Sequence, residues 1–196
     1  MSSEPLVNKQ WIYVKRPEGR VSGEHYELCE SSMKCDVLPG EVLIKAQYIS
    51  VDPYMRIQQH KSSTWEEPHP LGIVQRAGVV AKVLASGSAL FSPGDDVLAY
   101  TGWQLYAKCH ESGLQKLDAQ IAPATTALGI LGMPGRTAWF GLMDAGKPKA
   151  GEVVVVSGAA GAVGTLVVQF AKLNGCRVFG IAGGDKKCRF LVDELN

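Results

Sequence analysis

The chain has 196 residues, of which 46% are hydrophobic and 20% are charged, and its formal net charge is +1. This composition is ordinary for a globular protein, and it excludes the strongly basic surface that binds nucleic acid or an anionic membrane. No stretch approaches the roughly 18–20 consecutive apolar residues that a membrane span requires, so the sequence predicts no transmembrane helix.

The N-terminal residues and the cysteines predict a cytoplasmic location. The first ten residues are polar and lack the apolar core of a signal peptide. The five cysteines are widely spread and contain no Cys-x-x-Cys pair. Such a pattern is typical of reduced thiols in a cytosolic protein and not of a disulfide framework or a zinc knuckle.

Residues 1–125 have the pattern of an antiparallel β-barrel or sandwich. Short β-branched runs at Glu41–Ser50 and Ala77–Leu84 predict strands. Turn sequences rich in proline and glycine, such as Leu38–Gly40 and Ser92–Asp95, separate the predicted strands.

The pattern changes at residue 126, where two short helices are predicted. Thr126–Gly132 and Thr137–Met143 have helical patterns. The segment Gly132–Gly135 lies between them and contains a proline. We interpret this segment as the link that joins the two helices.

A strand, a helix and a second strand follow. Val153–Val156 is a continuous apolar run, as in a parallel strand that is buried on both faces. A helix is predicted over Ala162–Asn174, followed by a C-cap glycine at Gly175, and Arg177–Ile181 is the next predicted strand. A doubly wound nucleotide-binding domain usually has about six parallel strands. Residues 126–196 are therefore predicted to be the first part of such a domain.

The turn between the strand and the helix reads Ser-Gly-Ala-Ala-Gly-Ala-Val-Gly over residues 157–164. In the G-x-G-x-x-G frame of dinucleotide-binding proteins, the key positions are Ala159, Gly161 and Gly164. Gly161 lets the backbone approach a pyrophosphate, and Gly164 lets the helix pack close to the strand. Alanine at the first position requires a backbone conformation that alanine tolerates. The alternative is a strand, turn and helix whose small residues serve packing alone.

The end of the second strand favours NADP(H) over NAD. NAD-binding proteins usually carry an acidic residue there, which holds the ribose hydroxyls. Here Gly183 and Gly184 leave space for a 2′-phosphate, and a basic group at Lys186, Lys187 and Arg189 follows. In the alternative interpretation, Asp185 caps the last helix and the lysines form a solvated face.

Five phrases of the sequence point together to one family. They are Ile49–Arg56 (containing Asp-Pro-Tyr-Met-Arg), Pro93–Trp103, Leu128–Gly135 (Leu-Gly-Ile-Leu-Gly-Met-Pro-Gly), Thr137–Leu142 and Ser157–Gly164. With them the chain resembles the zinc-independent medium-chain dehydrogenase/reductases, in the branch of the prostaglandin/leukotriene reductases and bacterial curcumin reductases. The resemblance covers almost the whole chain, and the Asp-Pro-Tyr-Met-Arg and Leu-Gly-Met-Pro-Gly phrases are specific to this branch.

The resemblance implies a fold and an activity. Residues 1–125 would form a mostly β GroES-like domain, and residues 126–196 the truncated start of an α/β Rossmann domain, with NADP(H) in the cleft between them. The implied reaction is the NADPH-dependent reduction of the activated C=C bond of α,β-unsaturated ketones and aldehydes. The substrate would be a small apolar carbonyl compound, and the full-length form would be a homodimer.

The resemblance also implies a set of site residues. Tyr54 would act at the substrate. The cofactor would be contacted by Met133 and Thr137 at its nicotinamide-phosphate half, by Gly161, Ala162 and Val163 at the pyrophosphate, and by Gly183 and Lys187 at the 2′-phosphate. The chain departs from its relatives at Arg76-Ala77, where they usually have small residues. This departure affects the lining of the pocket near that loop.

No metal site is predicted. Ser50–Pro53 and Pro70–Ile73 stand where zinc-dependent relatives carry a cysteine and a histidine, and Asp52 alone remains as a ligand. Conjugate reduction needs no Lewis acid, because a hydroxyl donor can stabilise the enolate oxygen. Tyr54 is the candidate donor, and the alternative is an aromatic residue packed at a turn. Aromatic residues that would line an apolar pocket, or belong to the core, are Trp65, Trp103 and Tyr106.

Two other functions stay open at this point. A quinone oxidoreductase of the same superfamily would share the fold and the cofactor, but it lacks the two branch-specific phrases. A truncated reductase that cannot hold NADPH would serve as a binding or packing module instead of an enzyme.

Overall fold

The structure is a computed structural model that describes residues 5–62 and 67–195. The chain forms two compact units, one ending at Thr125 and the other beginning at Thr126. Within the described ranges, no helix is both long enough and apolar enough to cross a bilayer. Trp65, one of the three candidate pocket residues, lies outside the described residues.

The first unit consists mainly of antiparallel strands. Its strands are β1 (Leu6–Tyr13), β2 (Tyr26–Met33), β3 (Glu41–Ile49), β4 (Ile73–Val74), β5 (Val79–Ser86), β6 (Asp96–Ala99), β7 (Tyr106–His110) and β8 (Gln115–Lys116). One sheet has the order β7-β3-β5-β6-β8 and another the order β2-β1-β4. The short helix α1 (Tyr54–Gln58) and the 3-10 turns Gly23–His25 and Glu111–Gly113 connect them.

The larger sheet holds the core of the first unit. Buried apolar side chains come from β3, β5, β6 and β7, among them Val42, Ile44 and Val83. Gly40 and Gly94 adopt positive φ angles of 80° and 95°, which glycine tolerates at no steric cost. The strands predicted near residues 41–50 and 77–84, and the turns that bound them, are therefore confirmed.

The second unit alternates strands and helices. After the 3-10 turn Ala124–Leu128, its elements are α2 (Met133–Trp139), a π-helical continuation (Phe140–Gly146), β9 (Val153–Ser157), α3 (Ala162–Leu173), β10 (Arg177–Ile181) and α4 (Asp185–Asp193). The strands β9 and β10 are parallel and pair from Val153↔Arg177 to Ser157↔Ile181. The predicted strand, helix and strand are confirmed, and Gly175 has the positive φ of 79° that a C-cap glycine adopts.

The predicted link at Gly132–Gly135 is wrong, because α2 already begins at Met133. Proline is well accommodated in the first turn of a helix, where its missing N–H has no acceptor to lose. A Cβ built at Gly135 would lie 1.6 Å from the carbonyl oxygen of Ile130. Gly135 is therefore required because the preceding segment lies close to the helix, and it does not mark a loop.

One face of the parallel pair β9–β10 is covered and the other is bare. Val156, Ala159 and Val168 pack together on the covered face. The rings of Trp139 and Phe170 meet edge to face at 5.4 Å and join α2 to α3. On the opposite face, more than half of each side chain is exposed at four positions, Val153, Val155, Phe179 and Ile181.

The two units should differ in hydrogen exchange. The amides of Val153–Ser157 and Arg177–Ile181 should exchange well before those of Val79–Ser86, because a two-stranded sheet with open edges opens more readily than the centre of a five-stranded one. Mass spectrometry of the 196-residue polypeptide after timed deuteration measures this. Equal protection of all three strands in a monomer would contradict the expectation.

Candidate functional site

The glycine-rich turn connects β9 to α3. Gly158 adopts the left-handed conformation, with φ of 59°, whereas Ala159 does not. Ala159 is fully buried, and its N–H donates to the carbonyl oxygen of Ile181 at 3.0 Å. Alanine is therefore tolerated at the first position of the frame because the preceding glycine takes the unusual conformation, as the sequence required.

Backbone atoms come close at the other two positions of the frame, most of all at Gly164. A Cβ built at Gly164 would lie 2.2 Å from the carbonyl oxygen of Gly158 and 2.8 Å from the Cα of Ala159. A Cβ at Gly161 would lie 3.1 Å from the same oxygen. The first helical turn of α3 therefore packs directly on the residues of the glycine-rich turn that precedes it. The predicted close packing is found, and its partner is the start of the turn, Gly158 and Ala159, directly after β9.

Three amide groups at the N-terminus of α3 have no acceptor within the helix. The N–H of Thr165 donates to the carbonyl oxygen of Gly161 at 2.9 Å as the first bond of the helix. The N–H groups of Ala162, Val163 and Gly164 precede it and have no acceptor within the helix. Gly161 occupies the cap position without a side chain, and both Gly161 and Ala162 are exposed. Exposed amides at the positive end of a helix form a favourable site for an anion.

The segment after β10 lies at the same end of the sheet as the glycine turn. Because β9 and β10 are parallel and end in register at Ser157↔Ile181, the residues that follow each strand are neighbours. Gly183 has open space where a Cβ would stand. Lys187 is exposed in the first turn of α4, and its N–H donates to the carbonyl oxygen of Gly184 at 3.2 Å. The structure therefore places Gly161–Gly164 and Gly183–Lys187 at the same end of the two-stranded sheet.

Asp185 does not cap α4. The cap residue is Gly184, with φ of 82°, and Asp185 is the first residue of the helix. The alternative interpretation of this residue is therefore wrong. A carboxylate in the first turn still interacts favourably with the helix dipole, which accounts for the acid at this position.

Gly180, which the sequence analysis missed, helps to place the glycine turn. A Cβ built there would lie 3.0 Å from the Cβ of Ala159 and 3.1 Å from Cδ1 of Leu191. A larger side chain would push the turn or α4 away from the strand. A glycine inside a predicted strand is a signal for such a close approach.

Met133 and Thr137 lie one turn apart on α2. The hydroxyl of Thr137 donates to the sulfur of Met133 at 3.5 Å. Met133 is half-buried and Thr137 is exposed. The two residues therefore share one face of the helix.

In the first unit, Tyr54 begins α1 and is half-buried. It was expected at a turn, but Pro53 already has a helical conformation, with φ of −58° and ψ of −31°. The carbonyl oxygen of Asp52 accepts from the N–H of Met55 at 3.1 Å, and the Asp52 carboxylate accepts from the hydroxyl of Ser50. Tyr54 is thus carried by a short helix that follows directly on the proline.

The predicted aromatic candidates have different surroundings. Trp103 lines a cavity of about 370 Å³ in the first unit together with Trp11, Ile49 and Leu105. Its indole N–H donates to the carbonyl oxygen of Ser50 at 3.0 Å, two residues before Asp52. Tyr106 belongs to β7, and the ammonium of Lys45 lies 5.9 Å from its ring.

No candidate metal site is found among residues 5–62 and 67–195. The histidine, cysteine, aspartate and glutamate side chains in these ranges form no group of three or more that could hold an ion. Burial raises the pKa of the Cys109 thiol to about 11, and the thiol donates to the carbonyl oxygen of Val42 at 3.6 Å. This cysteine is therefore neither a ready ligand nor a reactive nucleophile at neutral pH.

Comparison with known families identifies the class of protein. The family described as the N-terminal domain of oxidoreductase matches residues 9–117, which is more than half of the chain. The chain belongs to this oxidoreductase family.

Individual relatives narrow the class to one branch. The chain is 40% identical to the NADPH-dependent curcumin reductase of Escherichia coli over 197 residues, covering 100% of this chain and 56% of the relative. It is 40% identical to prostaglandin reductase 1 of Rattus norvegicus over 186 residues, covering 93% and 54%. The predicted branch is confirmed, and the chain spans little more than half the length of these relatives.

A solved structure agrees with the fold. The crystal structure of CurA from Vibrio vulnificus is 43% identical, superposes with a TM-score of 0.89, and is matched over 96% of this chain and 55% of its own. Its complex with NADPH is also 43% identical and superposes with a TM-score of 0.87 over 95% of this chain and 55% of its own. The sheet-rich N-terminal domain predicted from the sequence is confirmed.

Gly164→Ala should destabilise the second unit. The added methyl group would overlap the Gly158 carbonyl, and overpacking of this kind costs about 1–3 kcal/mol of unfolding free energy. Gly141→Ala is the matched control, because it adds a methyl group to helical backbone with nothing within 4 Å. Urea unfolding of both variants measures the difference. Equal stability of the two would argue against the close contact.

Proposed function

We propose that the protein to which these residues belong reduces the activated C=C bond of α,β-unsaturated ketones and aldehydes with NADPH. The observation that carries the proposal is the arrangement at one end of the β9–β10 sheet. There the uncapped N-terminus of α3 lies beside the open, basic segment Gly183–Lys187. Both belong to a chain whose relatives include NADPH-dependent reductases.

The two units correspond to two functional domains in this proposal. Residues 1–125 form the GroES-like domain that carries the substrate residue. Residues 126–196 form the N-terminal part of a Rossmann NADP-binding domain. The parallel pair, the crossover helix α3 and the glycine turn support the second assignment.

The proposed cofactor contacts follow from the chemistry of the residues. The amides of Ala162, Val163 and Gly164 are donors for the pyrophosphate, and Gly161, whose own N–H donates to the carbonyl oxygen of Gly158 at 2.9 Å, lets the backbone approach it. Met133 and Thr137 contact the nicotinamide-phosphate half from the face of α2 that they share. Gly183 gives room for the 2′-phosphate, and the ammonium of Lys187 binds it as a charged donor. When bound, NADPH supplies the hydride.

Tyr54 is the proposed donor to the substrate. Hydride addition at the β-carbon places negative charge on the carbonyl oxygen, and a hydroxyl aimed at that oxygen stabilises it most when the charge develops. Charge stabilisation by a hydroxyl makes a Lewis acid unnecessary, so we propose a metal-independent reaction.

The second candidate is a polypeptide of these residues alone that does not hold NADPH and serves as a non-catalytic binding or packing module. NADPH fluorescence separates the candidates, because such a module gives no enhancement. The quinone oxidoreductase alternative is less well supported, because α1 and the start of α2 are built from the two branch-specific phrases. The homodimer, the cytoplasmic location and the absence of nucleic acid and membrane partners stay predictions.

Lys187→Glu in the complete reductase should weaken the binding of NADPH more than the binding of NADH. Losing one charge-assisted hydrogen bond of about 1.5–3 kcal/mol should raise the apparent constant for NADPH roughly 10- to 100-fold, with little change for NADH. Lys186→Glu, which reverses the neighbouring exposed charge, is the control and should have a smaller effect. Steady-state kinetics with both cofactors measures the constants. Equal changes for NADPH and NADH would reject the assignment.

Tyr54→Phe in the complete reductase should lower kcat/KM for an enone and leave NADPH affinity intact. Removing one aligned donor to a developing oxyanion costs about 2–4 kcal/mol, or roughly 30- to 900-fold in rate. Tyr48→Phe is the matched control, because Tyr48 is exposed on β3. If Tyr54→Phe is silent in the enone assay, another group stabilises the oxygen.

A further inference from the structure

Two arginines join the helix of Tyr54 to the loop that follows β1. Arg16, in that loop, donates to the carbonyl oxygens of His60 at 3.0 Å and His69 at 2.9 Å. Arg56, in α1, donates to the carbonyl oxygens of Gly19 at 3.1 Å and Pro17 at 3.2 Å. Arg56 therefore binds the main chain of the loop that carries Arg16, and Arg16 binds main-chain carbonyls that follow α1. We call this pair the arginine clasp.

A buried glutamine secures the C-terminal end of α1 behind the clasp. Gln59 is 1% exposed, and its side-chain amide donates to the Tyr26 hydroxyl at 2.7 Å and to the Gln75 side chain at 3.1 Å. The main-chain carbonyl oxygen of Gln59 accepts from the Tyr13 hydroxyl at 3.4 Å and from the Arg16 guanidinium at 3.4 Å. The end of α1 is thus bound to both β1 and β2.

The helix depends on these contacts because it is short. α1 has five residues, and a helix of this length is not stable by itself in water. Its place is therefore set by its contacts, and Tyr54 stands only two positions before Arg56. A planar guanidinium can bind two carbonyls at fixed geometry, whereas an ammonium is a single flexible point charge.

We propose that Arg16 and Arg56 are positioning residues for the reaction, which act by fixing α1 and thereby the hydroxyl of Tyr54. The proposal rests on the proposed role of Tyr54 at the substrate. In a catalytic site, a displacement of about 1 Å can cost about 100-fold in rate, so loosening α1 lowers turnover even when the fold is kept.

A surface ion pair between the same two segments provides the control. Lys61 and Glu18 approach to 3.1 Å, and both side chains are largely exposed. Exposed pairs of this kind contribute little. Lys61→Met therefore removes a contact between the loop and the segment after α1 without touching the clasp.

The test is a double-mutant cycle in the complete reductase. Arg56→Lys should lower kcat/KM for an enone about 10- to 100-fold in the presence of Tyr54, and less than about twofold in the Tyr54→Phe background. Arg16→Lys should show the same pattern from the other side of the clasp. NADPH affinity, measured by fluorescence, should stay unchanged in every folded variant, and Lys61→Met should leave kcat/KM unchanged.

Hydrogen exchange gives a readout that does not depend on activity. The amides of Met55–Gln58 should exchange faster in Arg56→Lys and in Arg16→Lys than in Lys61→Met. If Arg56→Lys does not fold, the kinetic and hydrogen-exchange measurements are both made on Arg16→Lys.

The outcomes distinguish a failure of the positioning role from a failure of the substrate role of Tyr54. An equal loss of kcat/KM in both Tyr54 backgrounds, or unchanged exchange in α1, would overturn the positioning role while leaving the proposed function intact. A silent Tyr54→Phe would instead reject the substrate role of Tyr54, and the proposal would fail with its premise.

Discussion

The contact between the start of α3 and the turn that precedes it is the constraint on which the proposed cofactor site depends. Gly164 lies so close to Gly158 that no side chain fits between them. This approach directs the first amides of the helix outward at the end of β9. It also places Ala159 where its N–H binds the end of β10. One tight backbone contact therefore fixes the turn, the helix and the second strand relative to one another.

Local sequence patterns were sufficient for the central elements of both units. A continuous apolar run identified β9, and the glycine spacing identified the turn between β9 and α3, because buried strands and close backbone approaches restrict the residue types directly. The start of α2 was misjudged for a related reason. Gly135 is required by packing against Ile130, and a single sequence does not distinguish a packing glycine from a loop glycine.

Other features leave no such signal. The strands β1 and β2 pair over eight residues. Both contain many polar side chains, so neither strand has the continuous apolar run that would predict it. The arginine clasp uses main-chain carbonyls as acceptors, and every residue has one. Only the folded chain shows which carbonyls Arg16 and Arg56 reach. Likewise, proline restricts φ but not ψ, so Pro53 alone does not predict the helical conformation that precedes α1.

The choice of acceptors in the arginine clasp determines how its hydrogen bonds respond to pH. Peptide carbonyls do not titrate, and the guanidinium group of arginine stays charged throughout the accessible pH range. The described contacts of Arg16 and Arg56 therefore lose no partner when carboxylates or histidines change protonation. One neighbour of Arg16 does titrate, the Tyr13 phenol, but burial raises its pKa, so the hydrogen bonds that hold α1 keep their partners through neutral pH.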